Sequence, residues 1–503
     1  MNTETLDVVV VGCGISGIST AYHLSRYCPK KTFVVLERRS NLGGTWDLFN
    51  YPGIRSDSDM YTFGFSWKNW TSDSIISPKE EILEYLENAV DENDLRRHIR
   101  FGTNVLTASY SSSAQRWTVI TENRTVYKCQ FLVFNTGYYS YENPHTPEFK
   151  NRESFRGQFV HPQTWPKGLE YKGKEIVVIG SGATAATMVP ALVEGGAAKV
   201  TMLQRSPSYF ISSPRKKDWF YNMLKPWLGE SIAFSVKRWQ NIFRQQAVYD
   251  VCQMYPRQSK KALMGWIRAQ CPEDFDANVH FNPKYNPWDQ RLCLCPDGDF
   301  FHALKIGKAL VVTDHVEEIK ENGILTRKGD LLKADIIVSA TGLNLQQNFP
   351  MSTIQVSVDG RPYVPKEHFG YRGCMLSDIP NFVFTVGYSN AGWTLKADLV
   401  SKYVCDLINH CNSRGIGEFC PRADNVSENT GGNILGLQSG YLTRSEDRMP
   451  RQGTEHPWVM SEHNVLYDFW RYKVMDFGEE LEFRAQVDGG GAGRRGRLTH
   501  GRL

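Results

Sequence analysis

Short runs of consecutive apolar residues alternate with stretches of helical periodicity at the start of the chain. The first run is Val8–Val11 and the next covers residues 32–36, while Tyr22, Leu24 and Tyr27 between them share one helix face. A brief, unbroken apolar run beside glycine is typical of a strand that is buried on both faces of a parallel sheet. The pattern therefore predicts a β–α–β unit.

The same order begins again near residue 175. An apolar run at residues 175–179 leads into a second helical stretch, and another run follows at residues 200–203. Two β–α–β units in one chain predict an α/β fold built on parallel sheets.

Further apolar runs indicate that the first unit is not continuous in sequence. Strand-like runs occur at residues 117–121 and 131–133, and the second of them is followed by Asn135-Thr136-Gly137. A buried-type run at 334–339 is followed by Ala340-Thr341-Gly342. Small residues at a strand end allow a dinucleotide to approach the backbone. We expect a first domain made of residues 1–149 and 380–487, a second domain at 150–379, and a disordered Gly/Arg-rich tail at 488–503.

Within the second domain, residues from about 215 to 280 change in character. Aromatic side chains stand among lysines and arginines at helical spacing, as at Trp227, Phe234, Trp239 and Phe243. Two interpretations fit this pattern. The helices form an inserted subdomain that packs its aromatic residues inward, or they form an amphipathic surface that covers the substrate or contacts a membrane.

Composition narrows the functional class. The chain has 503 residues, of which 41% are apolar and 22% charged, so that two or three domains are expected. A net charge of +4 is too small to suggest a nucleic-acid partner. Eleven scattered cysteines argue against a disulfide framework, and we expect buried thiols and no metal site. The absence of a signal-like segment and of a long apolar run predicts a cytoplasmic enzyme.

A glycine-rich turn follows the first apolar run. Gly12, Gly14 and Gly17, with Ser16 among them, stand between the predicted strand and helix. Such glycines permit a tight turn and bring backbone N–H groups to a pyrophosphate at the helix N-terminus. Glu37 stands 20 residues beyond Gly17, where a carboxylate accepts hydrogen bonds from the adenosine ribose. This unit fits FAD.

The second unit repeats the turn with one informative difference. Its predicted coenzyme contacts are Gly180, Ser181, Gly182, Ala183, Thr184, Gln204, Arg205 and Ser206. Arg205 occupies the offset that Glu37 has in the first unit, and a guanidinium can hold a ribose 2′-phosphate that a carboxylate would repel. The second unit thus fits NADPH, although a solvated charge at the strand end is the alternative for Arg205. Together the two units predict two Rossmann-type domains, with the NADPH domain inserted into the FAD domain.

The segment between the units carries a family likeness. Residues 155–166 match the Phe-x-Gly-x-x-x-His-x-x-x-Trp-Pro fingerprint at Phe155, Gly157, His161 and Trp165. Gly43-Gly44-Thr45-Trp46 and the segment 51–57 are similar to the flavin-site segment of the same proteins. On these motifs the chain resembles the Baeyer–Villiger monooxygenases, which are class B flavin-dependent enzymes, from about residue 5 to about residue 485. Segments 286–291 and 387–396 most resemble the ethionamide-activating branch of that family.

The resemblance implies an activity and a set of roles. Family members use FAD, NADPH and O2 to convert a ketone to an ester or lactone through a C4a-peroxyflavin. Arg291 matches the cation that keeps this peroxide anionic, and Asp57 matches the carboxylate that positions the arginine. The resemblance also implies flavin contacts, namely Gly44, Thr45, Trp46, Asp57, Tyr61, Asn390 and Trp393. For Trp393 a core position is the alternative. His161 is expected to couple domain movement to NADPH positioning, with direct proton transfer as the alternative.

Other functions remain open at this stage. The same cofactors also support oxygenation of a thioether, thioamide or amine. Separately, many relatives have a lysine that helps to hold the 2′-phosphate where this chain has Gln290, so the preference for NADPH over NADH depends more on Arg205. A disulfide reductase would need a close cysteine pair beside the flavin, and Cys13 and Cys28 are poorly spaced for it. A non-catalytic flavoprotein would leave the motifs unexplained. The aromatic segments suggest a hydrophobic substrate.

Overall fold

The computed structural model describes residues 2–216, 219–290, 292–424, 426–428, 440–459, 464–474, 477 and 480–487. Arg291 and the predicted tail at 488–503 therefore lie outside the described residues. Strands and helices are numbered along the chain.

The first sheet contains five parallel strands in the order β23-β8-β2-β3-β4. They are β2 (Val8–Val11), β3 (Phe33–Leu36), β4 (Ile99–Arg100), β8 (Phe131–Phe134) and β23 (Phe382–Phe384). Val8 and Val10 face one apolar core, and Val9 and Val11 face another. Burial on both faces explains why this strand reads as four consecutive valines.

Helices cover one face of this sheet, and a second sheet covers the other. The helices are α1 (Ile15–Tyr27), α2 (Thr45–Leu48), α3 (Met60–Phe63), α4 (Lys79–Glu92) and α10 (Trp393–Ser413). The covering sheet comprises β1 (Thr3–Thr5), β5 (Val105–Ser111), β6 (Arg116–Thr121), β7 (Val126–Cys129), β19 (Gln355–Val358) and β20 (Arg361–Pro362). Helix α10 comes from the last quarter of the chain and packs along α1.

The second unit is built on another five-stranded parallel sheet, in the order β14-β11-β10-β18-β9. Its strands are β9 (Gln158–Val160), β10 (Glu175–Ile179), β11 (Lys199–Gln204), β14 (Ala309–Thr313) and β18 (Ile336–Ser339). Helices α5 (Ala183–Glu194) and α9 (Asp299–Lys305) pack on one face. A three-stranded antiparallel sheet, β15 (Val316–Lys320), β16 (Gly323–Thr326) and β17 (Leu331–Lys333), packs against the other.

The predicted helical insertion consists of α6 (Trp219–Met254), α7 (Pro256–Gln270) and α8 (Ala277–His280), and it is flanked by the paired strands β12 (Phe210–Ser213) and β13 (Cys293–Pro296). Gly229 has non-helical angles, φ 76° and ψ 162°, and bends α6 sharply. No helix in the described ranges is both long enough and apolar enough to cross a membrane.

The remaining elements complete the first unit. They are β21 (Gly370–Tyr371), β22 (Met375–Leu376), β24 (Ile416–Pro421), β25 (Leu481–Ala485), α11 (Gly440–Thr443) and α12 (Val465–Val474).

Strand pairing bears on the expected domain boundary. β19 pairs in parallel with β5 of the first unit, and Phe349, Met351 and Ile354 belong to the apolar core beneath that sheet. The chain therefore returns to the first unit soon after Gly342. The pairing of β19 with β5 favours a boundary between the second and first units near residue 342, where the sequence had suggested 379. Residues 345–379 bury apolar side chains in the core of the first unit.

Candidate dinucleotide and active site

A cavity of about 510 Å³ lies between the two units. It is lined by the first glycine-rich loop, by the N-terminal turn of α5 and by the segment before α10. The predicted site residues that line it are Gly12, Gly14, Ser16, Glu37, Gly44, Thr45, Trp46, Asp57, His161, Ala183, Thr184, Asn390 and Trp393. One space thus brings together residues that are up to 381 positions apart in the sequence.

The first glycine-rich loop is packed so closely that side chains are excluded. A Cβ on Gly17 would lie 1.9 Å from the carbonyl oxygen of Gly12, and one on Gly12 would lie 2.5 Å from that of Asn135. Gly14 faces the cavity, and only backbone atoms of Gly44, at 3.6 Å and beyond, lie near its Cβ position. The outer two glycines let strand and helix meet, and the middle one leaves room for a phosphate.

Glu37 ends β3 in a buried position beside this loop. Its carboxylate accepts hydrogen bonds from the backbone N–H groups of Cys13 (2.7 Å) and Arg39 (2.9 Å). Burial raises the pKa of Glu37, and these two N–H groups offset part of the rise. Each oxygen keeps a lone pair for a further donor, such as a ribose hydroxyl.

Aromatic side chains close the loop from the side of α10. The indole Nε1 of Trp393 donates to Ser16 Oγ at 2.8 Å, and its ring stacks on Tyr138 with centroids 5.3 Å apart. Tyr141 also lines the cavity and lies 3.2 Å from Thr45 Oγ1 through its hydroxyl. Neither Tyr138 nor Tyr141 was predicted from the sequence, because both follow the strand-end motif without any spacing signal.

Tyr61 stands apart from the other predicted flavin contacts. It is fully buried, and its ring packs against Tyr221 and Phe234 of α6. It is absent from the cavity lining that the described residues form. The structure therefore gives Tyr61 a packing position between α3 and the insertion.

The second glycine-rich loop is more open than the first. A Cβ on Gly180 would lie 2.2 Å from the carbonyl oxygen of Ala340, but nothing lies within 4 Å of the corresponding position on Gly182. Ser181 Oγ donates to the carbonyl oxygen of Ser206 at 3.1 Å, which ties the loop to the end of β11. Gln204 is buried and its amide donates to His280 and Thr313, so this side chain holds strands together.

Two arginines from distant parts of the sequence, Arg205 and Arg444, are close enough for the charge of Arg205 to lower the pKa of Arg444. Arg205 is exposed, and Arg444 donates to the carbonyl oxygen of Leu343 at 3.4 Å. Burial lowers the pKa of Arg444, and the charge of Arg205 lowers it further. Within the described part of the chain no carboxylate pairs with either group. Two neighbouring cations without a counter-charge fit an anionic ligand, and Arg444 is too distant in sequence for a motif to reveal it.

The fingerprint segment forms β9 and the turn that leads out of it. β9 pairs with β18 at the edge of the second sheet, and a Cβ on Gly157 would lie 2.2 Å from Asp335 O. Phe155 and Trp165 pack against the apolar cores of the second unit. His161 is the fingerprint side chain that reaches the cavity.

His161 is held by the linker itself. Its Nδ1 accepts from the backbone N–H of Gln163 at 3.1 Å, and the Gln163 amide donates to the carbonyl oxygens of Ser140 and Tyr141 at 2.9 Å. Burial lowers the pKa of His161, so the ring is neutral near pH 7. The linker is thereby tied to the first unit.

The segment 51–57 crosses from the first unit to the second. Arg55 forms an ion pair with Asp299 of α9 at 2.5 Å, and a Cβ on Gly53 would lie 2.5 Å from Ala191 Cβ of α5. Burial raises the pKa of Tyr51 to about 12, and the neighbouring Thr184 side chain offsets part of that rise. These contacts hold the second glycine-rich turn against the flavin-side segment.

Asp57 lies at the end of this segment and lines the cavity. Its charge contributes, after burial, to raising the pKa of Cys293 to about 12, which locates it near the start of β13. Its expected partner, Arg291, lies outside the described residues. Cys293 and Cys295 are buried free thiols, as the sequence predicted.

Helix α6 supplies part of the wall. Arg244 and Gln245 line the cavity, and the Gln245 amide donates to Asp59 Oδ2 at 2.6 Å. Asn241 donates to the other oxygen of Asp59 at 2.9 Å. The insertion is thus joined by buried hydrogen bonds to the segment that carries Asp57, which the sequence pattern did not reveal. No cysteine occurs among the described residues that line the cavity.

Comparison with known proteins identifies the family. A family model described as pyridine nucleotide-disulphide oxidoreductase matches residues 9–254. The chain is 47% identical over 474 residues to the FAD-containing monooxygenase EthA of Mycobacterium tuberculosis, covering 93% of this chain and 95% of the relative. It is 45% identical over 486 residues to a probable FAD-binding monooxygenase AlmA of Acinetobacter sp, covering 95% and 96%.

Solved structures share the fold. A steroid monooxygenase bound to NADP matches with a TM-score of 0.70 and 24% identity, over 83% of this chain and 88% of that one. A cyclohexanone-bound cyclohexanone monooxygenase matches with a TM-score of 0.68 and 24% identity, over 84% and 90%. These similarities confirm the predicted α/β fold with two dinucleotide-binding units. The length and identity of the match to EthA and AlmA show that the chain belongs to the family of FAD-containing monooxygenases, as the sequence motifs predicted.

Proposed function

We propose that the chain binds FAD in the first unit and NADPH in the second, and that it oxygenates a hydrophobic ketone. The observation that carries the proposal is that one cavity is lined both by the first glycine-rich loop, at Gly12 and Gly14, and by the first turn of α5, at Ala183 and Thr184. A nicotinamide and a flavin held in one cavity are placed for hydride transfer, and the apolar lining from Trp46, Phe63 and Leu292 suits an apolar substrate.

The net reaction consumes a ketone, O2, NADPH and a proton, and it yields an ester or lactone, NADP⁺ and water. Reduced FAD, when bound, would activate O2, which supplies the oxygen atom that enters the product. The protein holds both cofactors and the substrate in one cavity. On the Baeyer–Villiger likeness we assign to Arg291 the permanent positive charge beside the reacting oxygen, and to Asp57 the role of holding that arginine.

The domain assignment is part of the same proposal. FAD belongs to the discontinuous unit, which contains β2, β8 and α10, and NADPH belongs to the unit that contains β10 and α5. Arg205 is assigned to the 2′-phosphate. Many relatives have a second cation, a lysine, at the position of Gln290, and we assign that part to Arg444 in this chain. The buried, unpaired cysteines of the described chain support a reducing, cytoplasmic compartment.

Product analysis tests this function. The purified enzyme would be given NADPH, air and either a cyclic ketone or a thioether, and NADPH consumption would be compared with product formed. We expect lactone in proportion to NADPH. Sulfoxide without any lactone would overturn the ketone reaction and establish oxygenation of sulfur or nitrogen as the function.

Arg291→Ala tests the assigned charge. Flavin reduction by NADPH should continue in this variant, because the arginine acts after reduction, while product formation should fall by about 100-fold or more. Undiminished lactone formation would remove Arg291 from this role. Arg327→Ala, in the turn between β16 and β17 where the side chain is exposed, is the control.

A further inference from the structure

The insertion carries an unusual share of the exposed apolar surface. Among the described residues, 13 of the 21 large hydrophobic side chains that are exposed lie between Trp219 and Trp266. Isolated exposed apolar residues are ordinary on a protein surface, but a concentration of this kind marks an interaction site.

These side chains are additional to a packed inner face. Tyr221, Phe234, Arg238 and Asn241 are buried and attach α6 to the first unit, partly through Arg238, whose guanidinium donates to the carbonyl oxygens of Tyr61 and Gly64. The contact between α6 and the first unit is therefore made by one face of the helix, and the exposed apolar residues lie on a different face. The inner side of α6 packs inward as one interpretation of the sequence pattern expected, and its outer side leaves apolar residues exposed.

The bend at Gly229 concentrates the outward side chains at an apex. Trp227 is 85% exposed on one side of the bend, and Ile232 is 57% exposed on the other, with Leu228 between them. Trp219 and Met223 continue the stripe toward one end, and the exposed Trp239 and Phe243 continue it toward the other at spacings of three and four residues.

The insertion is also strongly basic. Between residues 219 and 270 the sequence contains eight lysines and arginines and only two acidic residues, Glu230 and Asp250. This net charge of +6 exceeds the +4 of the whole chain, so the rest of the chain is net negative. Lys225, Lys261 and Arg268 are exposed beside the apolar stripe.

We propose that the apex and outer face of α6 and α7 dock the protein on an anionic lipid bilayer, with Trp227, Leu228 and Ile232 inserted among the acyl chains. Tryptophan and aliphatic side chains bounded by lysine and arginine are the composition that lies in a membrane interface, where the cations meet anionic headgroups. Since none of the described helices can cross a bilayer, the contact is peripheral.

The docking proposal has a consequence for the cavity. Arg244 and Gln245, which line it, directly follow the exposed Phe243 on α6. The same helix thus forms a wall of the cavity and, in the docked protein, contacts the lipid. An apolar substrate dissolved in the bilayer would meet the protein beside the cavity. This consequence rests on the proposed function, whereas the docking itself does not.

Vesicle flotation tests the proposal. The FAD-loaded enzyme would be mixed with vesicles of phosphatidylcholine alone, or of equal parts phosphatidylcholine and phosphatidylglycerol, and floated through a density gradient. We expect the protein to float with the phosphatidylglycerol vesicles only. The triple variant Trp227→Ser, Leu228→Ser, Ile232→Ser should lower the bound fraction by about tenfold or more, because it removes most of the inserted apolar area.

Matched controls separate this effect from misfolding and from catalysis. Ile306→Ser, Leu310→Ser and Leu331→Ser remove three apolar side chains of the second unit that are 39–50% exposed, and they should leave flotation unchanged. Flavin absorbance and NADPH oxidation of both triple variants should match the parent. The proposal is overturned if the parent protein does not float with either vesicle, or if the apex variant floats as well as the parent. It is also overturned if sedimentation shows a dimer that the apex variant dissociates while flotation is absent, which would make this face a contact between two copies.

Discussion

The two glycine-rich units share a motif but differ in how the protein encloses it. In the first unit the middle glycine, Gly14, faces the backbone of Gly44, 3.6 Å from its Cβ position, and Glu37 is buried with backbone N–H groups on its carboxylate. In the second unit the position of Gly182 is open and Arg205 is exposed. The carboxylate of Glu37, which is buried and already holds two hydrogen bonds, suits a cofactor that stays bound. The open loop at Gly182 and the exposed Arg205 suit a cofactor that enters and leaves. The difference in enclosure therefore matches a resident FAD and an exchanging NADPH.

The largest expected effect comes from adding one methyl group to each loop. Gly17→Ala would place a Cβ 1.9 Å from a backbone oxygen, so we expect loss of FAD and a destabilisation of about 3 kcal/mol or more. Gly182→Ala meets no atom within 4 Å and should change the free energy of unfolding by less than about 0.5 kcal/mol. Thermal unfolding and flavin absorbance measure both, and equal effects would contradict the close packing at Gly17 and the open space at Gly182.

The second prediction concerns the guanidinium pair. Arg205→Ala should raise KM for NADPH by about 10- to 100-fold, the value of charge-assisted hydrogen bonds to a phosphate, and leave KM for NADH unchanged. Arg444→Ala should act in the same direction by about threefold to tenfold, since its guanidinium also bonds Leu343. Arg448→Ala is the control, because its side chain donates to the Arg444 carbonyl. An equal loss for both coenzymes would contradict the phosphate assignment.

Glu37→Gln tests the first unit in the same way. The amide offers one acceptor oxygen where the carboxylate offers two, so one of the N–H groups of Cys13 and Arg39 would face a donor. We expect FAD to dissociate about tenfold more readily, with KM for NADPH unchanged in the flavin-loaded fraction. Flavin release in dilute protein measures the first quantity. A change confined to NADPH would reverse the assignment of the two units.

The smallest effect is expected at His161, between the units. Glutamine can accept from the Gln163 N–H as the imidazole does, so His161→Gln should lower turnover by less than about threefold and leave its pH profile in place. A shifted profile would show proton transfer by His161. Because burial lowers the pKa of His161 below its usual 6.5, its share of folding stability is present above that pH and is lost on acidification. The variant should accordingly lose less stability than the parent as the pH falls below about 6.5 in acid titration.

Much of the fold was predictable, because the apolar runs at Val8–Val11 and 175–179 are continuous only where a sheet is covered on both faces. The offset of Glu37 and Arg205 likewise needed no structure. The return of residues 345–379 to the first unit was not predictable, since β19 is short and half exposed and its pairing with β5 depends on contacts made across the chain.

The site shows the same division. Gly14, Ala183 and Trp393 were found because they stand in motifs, and the structure places them around one cavity. Arg444 was missed because nothing local to residue 444 indicates a phosphate. Tyr61 was expected at the flavin, but its side chain fills a gap between α3 and α6 that the insertion creates. Such residues become recognisable only when distant segments meet.

The discontinuity of the first unit also orders events during synthesis. The second sheet has all five of its strands once β18 at Ile336–Ser339 has been made, whereas the first sheet still lacks β23 at Phe382–Phe384 and the covering helix α10. Domains fold as units while the chain emerges. The second unit can therefore fold on the ribosome before the first sheet is complete. At that stage the edge of β8 is unpaired, because its partner β23 lies nearly 250 residues further along the chain. Chaperone contacts during translation should accordingly concentrate on the N-terminal third.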